Sequence, residues 1–223
     1  RPELTKMASP QIARINGPEA FLRAFPVSRE TLDRLVTYAA MLKRWQKTIN
    51  LVAPGTLNDV WHRHFADSAQ IWALRPDEAK TWLDLGSGAG FPGLVLAIMA
   101  AEHGGTRHTL VESDNRKAAF LREAARETEV AVHILCTRIE SSEIHAKVGE
   151  VNCVTARALA PLPRLAPLAA PYFASGTVGI FLKGRDVAAE LEDAARTWEF
   201  QFELKPSVTD PEGRVLLLKA LKV

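Results

Sequence analysis

Residues 80–93 read Lys-Thr-Trp-Leu-Asp-Leu-Gly-Ser-Gly-Ala-Gly-Phe-Pro-Gly, and this stretch decides the fold of the 223-residue chain. An apolar run at 82–85 ends in glycines at positions 86, 88, 90 and 93, and an apolar helical pattern follows at 94–101. This order predicts a buried strand, a tight turn and the start of a helix. Glycines let a backbone approach a ligand closely, and the free N–H groups at the helix start would face that ligand.

An acidic residue, Glu112, follows the next apolar run, in Thr-Leu-Val-Glu-Ser. A carboxylate at the end of that strand can accept hydrogen bonds from both hydroxyls of a ribose. We therefore expect a cofactor that contains adenosine. Its predicted binding residues are those of the turn and of the second strand end, namely Gly86, Gly88, Gly90, Phe91, Glu112 and Ser113.

Two classes of cofactor fit such a turn. Residues 88–93 match the G-x-G-x-x-G fingerprint of dinucleotide-binding proteins, although this match alone is weak. Asp84 instead opens the pattern Asp-x-Gly-x-Gly-x-Gly of S-adenosylmethionine-dependent methyltransferases, where its carboxylate could hold the amino group of the cofactor, directly or through water. Pro92 also lacks the N–H group that a pyrophosphate would use. S-adenosylmethionine is favoured, and a nicotinamide-dependent oxidoreductase is the alternative.

The chain divides into two predicted parts. Residues 1–79 show helical spacing only, with Ser28 as the N-cap of one helix and a second helix expected at 57–74. From residue 80, strands and helices alternate, which predicts a parallel sheet covered on both faces. The expected strands lie near 81–86, 107–112, 131–136, 151–156 and 177–183, and the expected helices near 92–102, 114–128, 140–147, 162–173 and 184–197.

The last part of the chain changes pattern. Residues 198–204 alternate apolar and polar side chains, and Asp210-Pro-Glu-Gly213 then leads into the apolar run 214–221. This predicts an antiparallel hairpin at the sheet edge. The expected fold class is therefore α/β: a Rossmann-like class I methyltransferase domain at 80–223, with a mostly parallel seven-stranded sheet, preceded by an N-terminal helical segment at 1–79.

Composition limits the class of protein. The hydrophobic content of 47% and charged content of 24% are ordinary for a globular protein, and no apolar run approaches the roughly 20 residues of a membrane span. No signal peptide is recognised, so we expect a cytoplasmic location without membrane contact. Cys136 and Cys153 fall in separate predicted strands without ligand spacing, which predicts reduced thiols and no metal site.

Charge is spread unevenly along the chain. Residues 1–75 carry 11 lysines and arginines against 6 acidic residues, whereas residues 76–223 carry 17 against 20. A basic front end indicates an anionic partner that meets the N-terminal part.

The motifs that the chain lacks narrow the choice of methyl acceptor. The chain has no Pro-Pro pair, and so lacks the Asn/Asp-Pro-Pro-aromatic motif of enzymes that methylate exocyclic amines. It has no Pro-Cys pair either, which speaks against cysteine attack on a pyrimidine. Acceptors with a free lone pair remain, and guanine N7 is one that needs no deprotonation before it attacks.

Four segments resemble the bacterial small-subunit ribosomal RNA guanine-N7 methyltransferase family, also called the glucose-inhibited division protein B family. The resemblance covers nearly all of the chain beyond residue 20, and Gln46 is one departure, since the family often has Asn there. The segments are Trp45-Gln-Lys-Thr-Ile-Asn-Leu-Val52 with His62-Arg-His-Phe-Ala-Asp-Ser68, Leu83-Asp-Leu-Gly-Ser-Gly-Ala-Gly-Phe-Pro-Gly-Leu94, Glu112-Ser-Asp-Asn-Arg-Lys-Ala-Ala-Phe-Leu-Arg122, and Thr137-Arg-Ile-Glu140 with Thr155-Ala-Arg-Ala-Leu-Ala160.

The resemblance implies methyl transfer from S-adenosylmethionine to N7 of a guanine in small-subunit (16S) ribosomal RNA, with S-adenosylhomocysteine as product. It implies a cofactor site at Gly86, Phe91, Ile139, Glu140 and Arg157. Arg157 is the predicted catalytic residue, because it follows the fourth strand beside the expected position of the methyl group. We expect a monomer that acts on RNA within a ribosomal particle.

Basic residues near the predicted strand ends are the candidates for RNA contact. They could hold phosphates or stack on a base. These residues are Arg63, Arg138, Lys183 and Arg185, beside Arg157. His64 and Asp67 lie three residues apart on a predicted helix and are expected to pack the helical segment onto the sheet. Besides the oxidoreductase, a non-catalytic nucleotide sensor or RNA-binding module stays open as an alternative.

Overall fold

The computed structural model describes residues 11–174 and 176–223 and contains one seven-stranded sheet. The strands are β1 (Thr81–Leu85), β2 (Arg107–Glu112), β3 (His133–Cys136), β4 (Cys153–Arg157), β5 (Val178–Lys183), β6 (Glu199–Pro206) and β7 (Arg214–Lys222). Their order is β3-β2-β1-β4-β5-β7-β6. Strands β1 to β5 run parallel, and β7 is antiparallel to both β5 and β6. The predicted sheet and its C-terminal hairpin are confirmed.

Helices cover both faces of the sheet. They are α1 (Pro18–Ala24), α2 (Arg29–Trp45), α3 (Asp67–Ala69), α4 (Gly93–Ala101), α5 (Asn115–Glu127), α6 (Ser142–Val148), α7 (Leu162–Ala169) and α8 (Val187–Ala194). Ser28 caps α2 as predicted, because its hydroxyl accepts a hydrogen bond from the N–H of Thr31.

The segment predicted as a helix at 57–74 is helical, but it is not one regular α-helix. The chain there forms a 3₁₀ turn at Pro54–Asp59, a π-helical turn at Trp61–Ala66, the short α3 and a second 3₁₀ turn at Gln70–Leu74. This segment is largely buried, including Val60, His64, Phe65 and Ser68. π-helical turns often mark functional sites.

The N-terminal helices share a core with the sheet domain. Tyr38 of α2 is fully buried, with its ring stacked 5.4 Å from that of Phe91 and edge-on to Phe65 at 5.2 Å. At the start of α2, the carboxylate of Glu102 accepts hydrogen bonds from the backbone N–H of Ser28 and from the hydroxyl of Thr31. The two predicted parts of the chain therefore pack as neighbours, and α2 lies directly beneath the glycine turn.

The remaining composition-based expectations concern thiols, membranes and metals. Cys136 and Cys153 lie in β3 and β4, and both are free thiols. Within the described ranges, no helix is long and apolar enough to cross a bilayer. Over the same residues, no cluster of His, Cys, Asp or Glu side chains could hold a metal ion.

A stack of aromatic rings lies beside β1 and β2. The ring of Trp82 lies 6.0 Å from that of Trp72 and 5.5 Å from that of His108. His108 is only 3% exposed, and its Nε2 atom has no hydrogen-bond partner in the described protein. Burial lowers the pKa of His108 from its ordinary 6.5 to about 4. The folded protein therefore holds this imidazole in its neutral form.

His108 should make the stability of the protein depend on pH. Between pH 6.5 and 4 the unfolded chain binds a proton at His108 that the folded protein does not, so acid favours unfolding. From pH 7 to pH 5, the wild type should lose about 2 kcal/mol more of its free energy of unfolding than His108→Phe, whose ring also fits the stack. Urea unfolding of both proteins at the two pH values tests this; equal losses would contradict it.

Candidate active site

A cavity of about 340 Å³ lies at the carboxyl ends of β1, β2 and β4. This is the edge at which open parallel sheets bind their ligands. Seven of the predicted cofactor residues line it: Gly86, Gly88, Phe91, Glu112, Ser113, Ile139 and Arg157. Asp84, Gly90 and Glu140 are not among the lining residues.

The glycine turn forms one wall of this cavity, which we call the cofactor cavity because seven of the predicted cofactor residues line it. Gly86 and Gly88 have φ angles of +67° and +56°, which side chains rarely adopt. Glu112 fixes the turn to β2, because its Oε2 atom accepts a hydrogen bond of 2.7 Å from the N–H of Gly88. Its Oε1 atom accepts one of 2.8 Å from the N–H of Asp114. Each carboxylate oxygen retains a further lone pair for a ligand hydroxyl.

Asp84 lies beneath the turn rather than in the cavity wall. It is 3% exposed, and its Oδ1 atom accepts a hydrogen bond of 2.6 Å from the hydroxyl of Thr155. Burial raises the pKa of Asp84 to about 6. Gly93 packs so closely on this carboxylate that an added Cβ would lie 2.5 Å from Oδ2. The geometry therefore gives Asp84 a supporting position under the turn, one layer away from the cavity.

Gly90 and Glu140 also lie outside the cavity wall. Gly90 has a φ of +93°, and a Cβ there would lie 2.5 Å from the hydroxyl oxygen of Tyr38. That hydroxyl donates a hydrogen bond to the carbonyl of Ala89, so Gly90 is required by the packing of α2. Glu140 is exposed and forms an ion pair of 3.4 Å with Arg138.

Arg157 lies where the helical segment meets the end of β4. Its Nη1 atom donates to the carbonyl of Arg63 at 3.0 Å and to Oδ2 of Asp67 at 3.3 Å. Its Nη2 atom lies 2.8 Å from Nδ1 of His64, and the guanidinium is 5.1 Å from the centre of the Phe91 ring. The predicted packing of His64 and Asp67 onto the sheet is therefore made through Arg157.

His64 has one protonation state that satisfies all of its contacts. Its pKa is lowered to about 3, chiefly by burial and further by the positive charges of Arg157 and Arg63. Nδ1 of the neutral ring accepts the hydrogen bond from Arg157, so Nε2 carries the proton and donates to the hydroxyl of Thr56 at 2.8 Å. Both ring nitrogens are engaged, and His64 has no lone pair left for a general base.

Comparison with known proteins identifies the family. Residues 31–217 match the sequence model of GidB, described as rRNA small subunit methyltransferase G. The chain belongs to this family.

Two relatives have the name Ribosomal RNA small subunit methyltransferase G. The protein of Parvibaculum lavamentivorans is 51% identical over 203 residues, which are 91% of this chain and 89% of the relative. The protein of Methylobacterium radiotolerans is 48% identical over 215 residues, which are 96% and 97% of the two chains. Membership of this methyltransferase family overturns the oxidoreductase alternative.

Solved structures agree on the fold. A mutant of MtNAS in complex with S-adenosylmethionine has a TM-score of 0.54 and 16% identity, covering 92% of this chain and 84% of that one. A ribosomal protein L11 methylase from Lactobacillus delbrueckii subsp. bulgaricus has a TM-score of 0.54 and 20% identity, covering 69% and 76%. At these identities the likeness shows the class I methyltransferase fold alone.

The basic residues predicted to contact RNA differ in how far their side chains are exposed. The side chains of Arg63, Arg138 and Arg185 are exposed. The side chain of Lys183 is instead buried, with 7% of it exposed, and it pairs with Glu190 of α8 at 2.6 Å. Its ammonium also donates to the carbonyl of Ala160. This geometry favours a structural role for Lys183, in which it ties β5 to α8 and to the loop after β4.

Some residues that line the cofactor cavity were not predicted. Leu51 and Val52 enter it from the loop after α2, Lys117 from the first turn of α5, and Ala158 and Leu159 from the end of β4. All five lie within the sequence segments that resemble the family, and this resemblance was the available signal for them. Helical spacing could not place the loop at 50–52 over the sheet, since that position depends on how α2 packs.

Gln46 holds that loop in place. Its Oε1 atom accepts hydrogen bonds of 3.0 Å from the N–H groups of both Leu51 and Val52. Its Nε2 atom donates to the carbonyl of Val52 at 2.8 Å and to the side chain of Asn50 at 3.2 Å. One amide side chain thus satisfies three backbone groups of two buried residues in the cavity wall.

Replacing Gln46 with leucine should loosen this wall. The loss of the amide leaves three backbone groups without partners, at an expected cost of about 1–3 kcal/mol in the free energy of unfolding. The KM for S-adenosylmethionine should rise as well. Gln46→Asn keeps an amide, so its KM and its free energy of unfolding should stay closer to those of the wild type. Gln201→Leu, at an exposed position on β6, is the matched control. Unchanged KM and stability in Gln46→Leu would show that the wall holds without this side chain.

Proposed function

We propose that this chain transfers the methyl group of S-adenosylmethionine to N7 of a guanine in small-subunit ribosomal RNA, acts as a monomer on a ribosomal particle, and releases S-adenosylhomocysteine. The family is one of S-adenosylmethionine-dependent methyltransferases of that RNA. The observation that carries the proposal is the cofactor cavity itself, where the glycine turn, Glu112 and Arg157 come together from three strand ends.

The cavity residues fit S-adenosylmethionine. The wall at Gly88 has room for close approach, since a Cβ there would meet no atom nearer than 3.9 Å. The anchored carboxylate of Glu112 suits the ribose hydroxyls, and Ile139 offers an apolar surface for the adenine. Arg157 and Phe91 form the end of the cavity at which we place the methyl group.

The cofactor supplies an activated methyl group, which the guanine N7 lone pair displaces from sulfur while the C–S bonding electrons stay on the sulfur. No proton has to leave N7 before it attacks, which agrees with the fully engaged His64. Alignment of donor and acceptor can then supply much of the rate. The protein residues around the cavity therefore act by binding and orienting.

Charge balance at Arg157 suits this reaction. Methylation at N7 leaves a positive charge on the guanine ring, which a bare guanidinium alongside would repel. Asp67 lies 3.3 Å from Arg157 and offsets its charge. Although burial raises the pKa of Asp67, Arg157 and the hydroxyl of Thr209 oppose that rise. The Arg157–Asp67 pair thus orients the site with little net charge.

Transfer of a labelled methyl group tests the proposal. Small ribosomal subunits from a strain that lacks this gene, and RNA extracted from them, are incubated with the enzyme and labelled S-adenosylmethionine. Reduction and aniline treatment then cleave the RNA at N7-methylguanine. We expect label in one substrate and a single cleavage site, and little label in subunits from the parent strain, which are already methylated. Cofactor binding without any label would favour the non-catalytic alternative.

A further inference from the structure

A second cavity of about 790 Å³ adjoins the cofactor cavity. Leu51, Val52, Arg157 and Ala158 line both, so these four residues form a shared wall. The other walls come from three distant parts of the chain, within residues 11–14, 53–67 and 209–211.

Hydrogen bonds hold these distant parts together. The N–H of Ile15 donates to Nδ1 of His62 at 3.2 Å, so Nε2 of His62 carries the proton and donates to the carbonyl of Thr209 at 2.9 Å. The hydroxyl of Thr209 donates in turn to Oδ1 of Asp67 at 2.9 Å. The N-terminal segment, the π-helical turn and the C-terminal hairpin are thereby tied into one rigid rim.

We infer that this second cavity receives the target guanosine, turned out of the RNA so that its N7 meets the methyl group at the shared wall. The inference rests on the proposed function. Enzymes that act on a base take it out of its stack and enclose it in a pocket. The volume lies within the range of small-molecule sites. Leu51 and Val52 supply an apolar surface against which a base can pack.

One positively charged side chain at the rim of the second cavity is placed to contact the RNA backbone. Arg14 is paired with Asp59 at 2.8 Å. The side chain of Arg63 is exposed, and within residues 11–174 and 176–223 its guanidinium makes no ion pair. Its backbone carbonyl accepts a hydrogen bond from Arg157, which fixes the position of Arg63 relative to the shared wall. A phosphate next to the extruded guanosine is the group that this guanidinium suits.

Filling the second cavity tests the inference. Ala53 is exposed and lines this cavity but not the cofactor cavity. Ala53→Trp should bind S-adenosylmethionine with wild-type affinity and lose at least tenfold in kcat/KM for the ribosomal substrate. The matched control is Ala131→Trp, which should behave as the wild type. Ala131 is exposed and lies just before β3, at the amino ends of the parallel strands and away from the cavities. Wild-type kcat/KM in Ala53→Trp, or loss of cofactor binding in the folded variant, would overturn the inference.

Arg63→Glu provides a second variant that leaves the interior unchanged. It should raise the KM for the ribosomal substrate several-fold and leave the affinity for S-adenosylmethionine unaltered. An unchanged KM would count against the placement of the guanosine. Failure of the proposed function can be told apart from failure of this inference. In the first case the wild type itself would transfer no methyl group. In the second case the wild type and Ala53→Trp would both be active.

Discussion

Arg157→Ala should lower methyl transfer by at least about a hundredfold, because the cofactor and acceptor sides of the site lose the residue that orients them. The variant should also be less stable. Asp67 and Arg157 have only 19% and 17% of their side chains exposed, so the substitution leaves a mostly buried carboxylate without its partner. Breaking such a pair costs about 3 kcal/mol. Arg157→Ala should therefore lower both methyl transfer and the free energy of unfolding.

A double variant separates the two effects. Arg157→Ala with Asp67→Asn removes the unpaired charge, while the new amide can still contact the hydroxyl of Thr209. We expect it to recover about half of the lost stability. Methyl transfer should stay as low as in the single variant. The measurements are urea unfolding and methyl transfer with saturating cofactor. Recovery of activity in the double variant would mean that Arg157 serves stability only.

Gly90→Ala should destabilise the protein by roughly 2–5 kcal/mol, through backbone strain and overpacking together. Its φ of +93° disfavours a side chain, and the new Cβ would lie 2.5 Å from the Tyr38 hydroxyl oxygen and 2.8 Å from Cβ of Leu94. Neither neighbour can withdraw easily, since both are fully buried. The effect is on folding, because Gly90 packs against α2 and does not line the cofactor cavity.

Gly88→Ala is the matched control for this substitution. Gly88 also has a positive φ, +56°, but its Cβ would meet nothing nearer than 3.9 Å, so only the strain of about 1 kcal/mol is expected. Gly88 does line the cofactor cavity, and the added methyl group should weaken S-adenosylmethionine binding. Urea unfolding and calorimetric titration of both variants test the contrast. Weaker cofactor binding with unchanged stability in Gly90→Ala would restore the cofactor role predicted from the sequence.

Local sequence patterns predicted the fold well where the elements repeat regularly. Continuous apolar strands between helical patterns indicated the parallel sheet, and the alternation at 198–204 with the turn Asp210–Gly213 indicated the hairpin. The segment at 57–74 was predicted as a helix, but its changes between 3₁₀, π and α winding were not predicted. These changes occur in a segment that is largely buried against other parts of the fold, and no local pattern records such contacts.

In the candidate active site, too, the sequence predicted some features and missed those that depend on tertiary packing. Chain order alone placed Glu112 and Arg157 at strand ends, since the carboxyl ends of parallel strands meet at one edge of the sheet. It could not separate Gly88, which lines the cavity, from Gly90, which packs on Tyr38. Chain order also predicted that Lys183 contacts RNA, whereas in the fold its side chain pairs with Glu190.

The sequence by itself determined the strands of the sheet, the glycine turn, the cofactor class and the family, because short stretches of the chain carry the pattern of each. The tertiary structure decided the position of the loop at 50–52, the pairing of Arg157 with Asp67, and the second cavity. These depend on how residues 11–74 pack across the ends of β1 and β4. Such contacts join side chains far apart in sequence, so only their burial and hydrogen bonding in the folded chain reveal them.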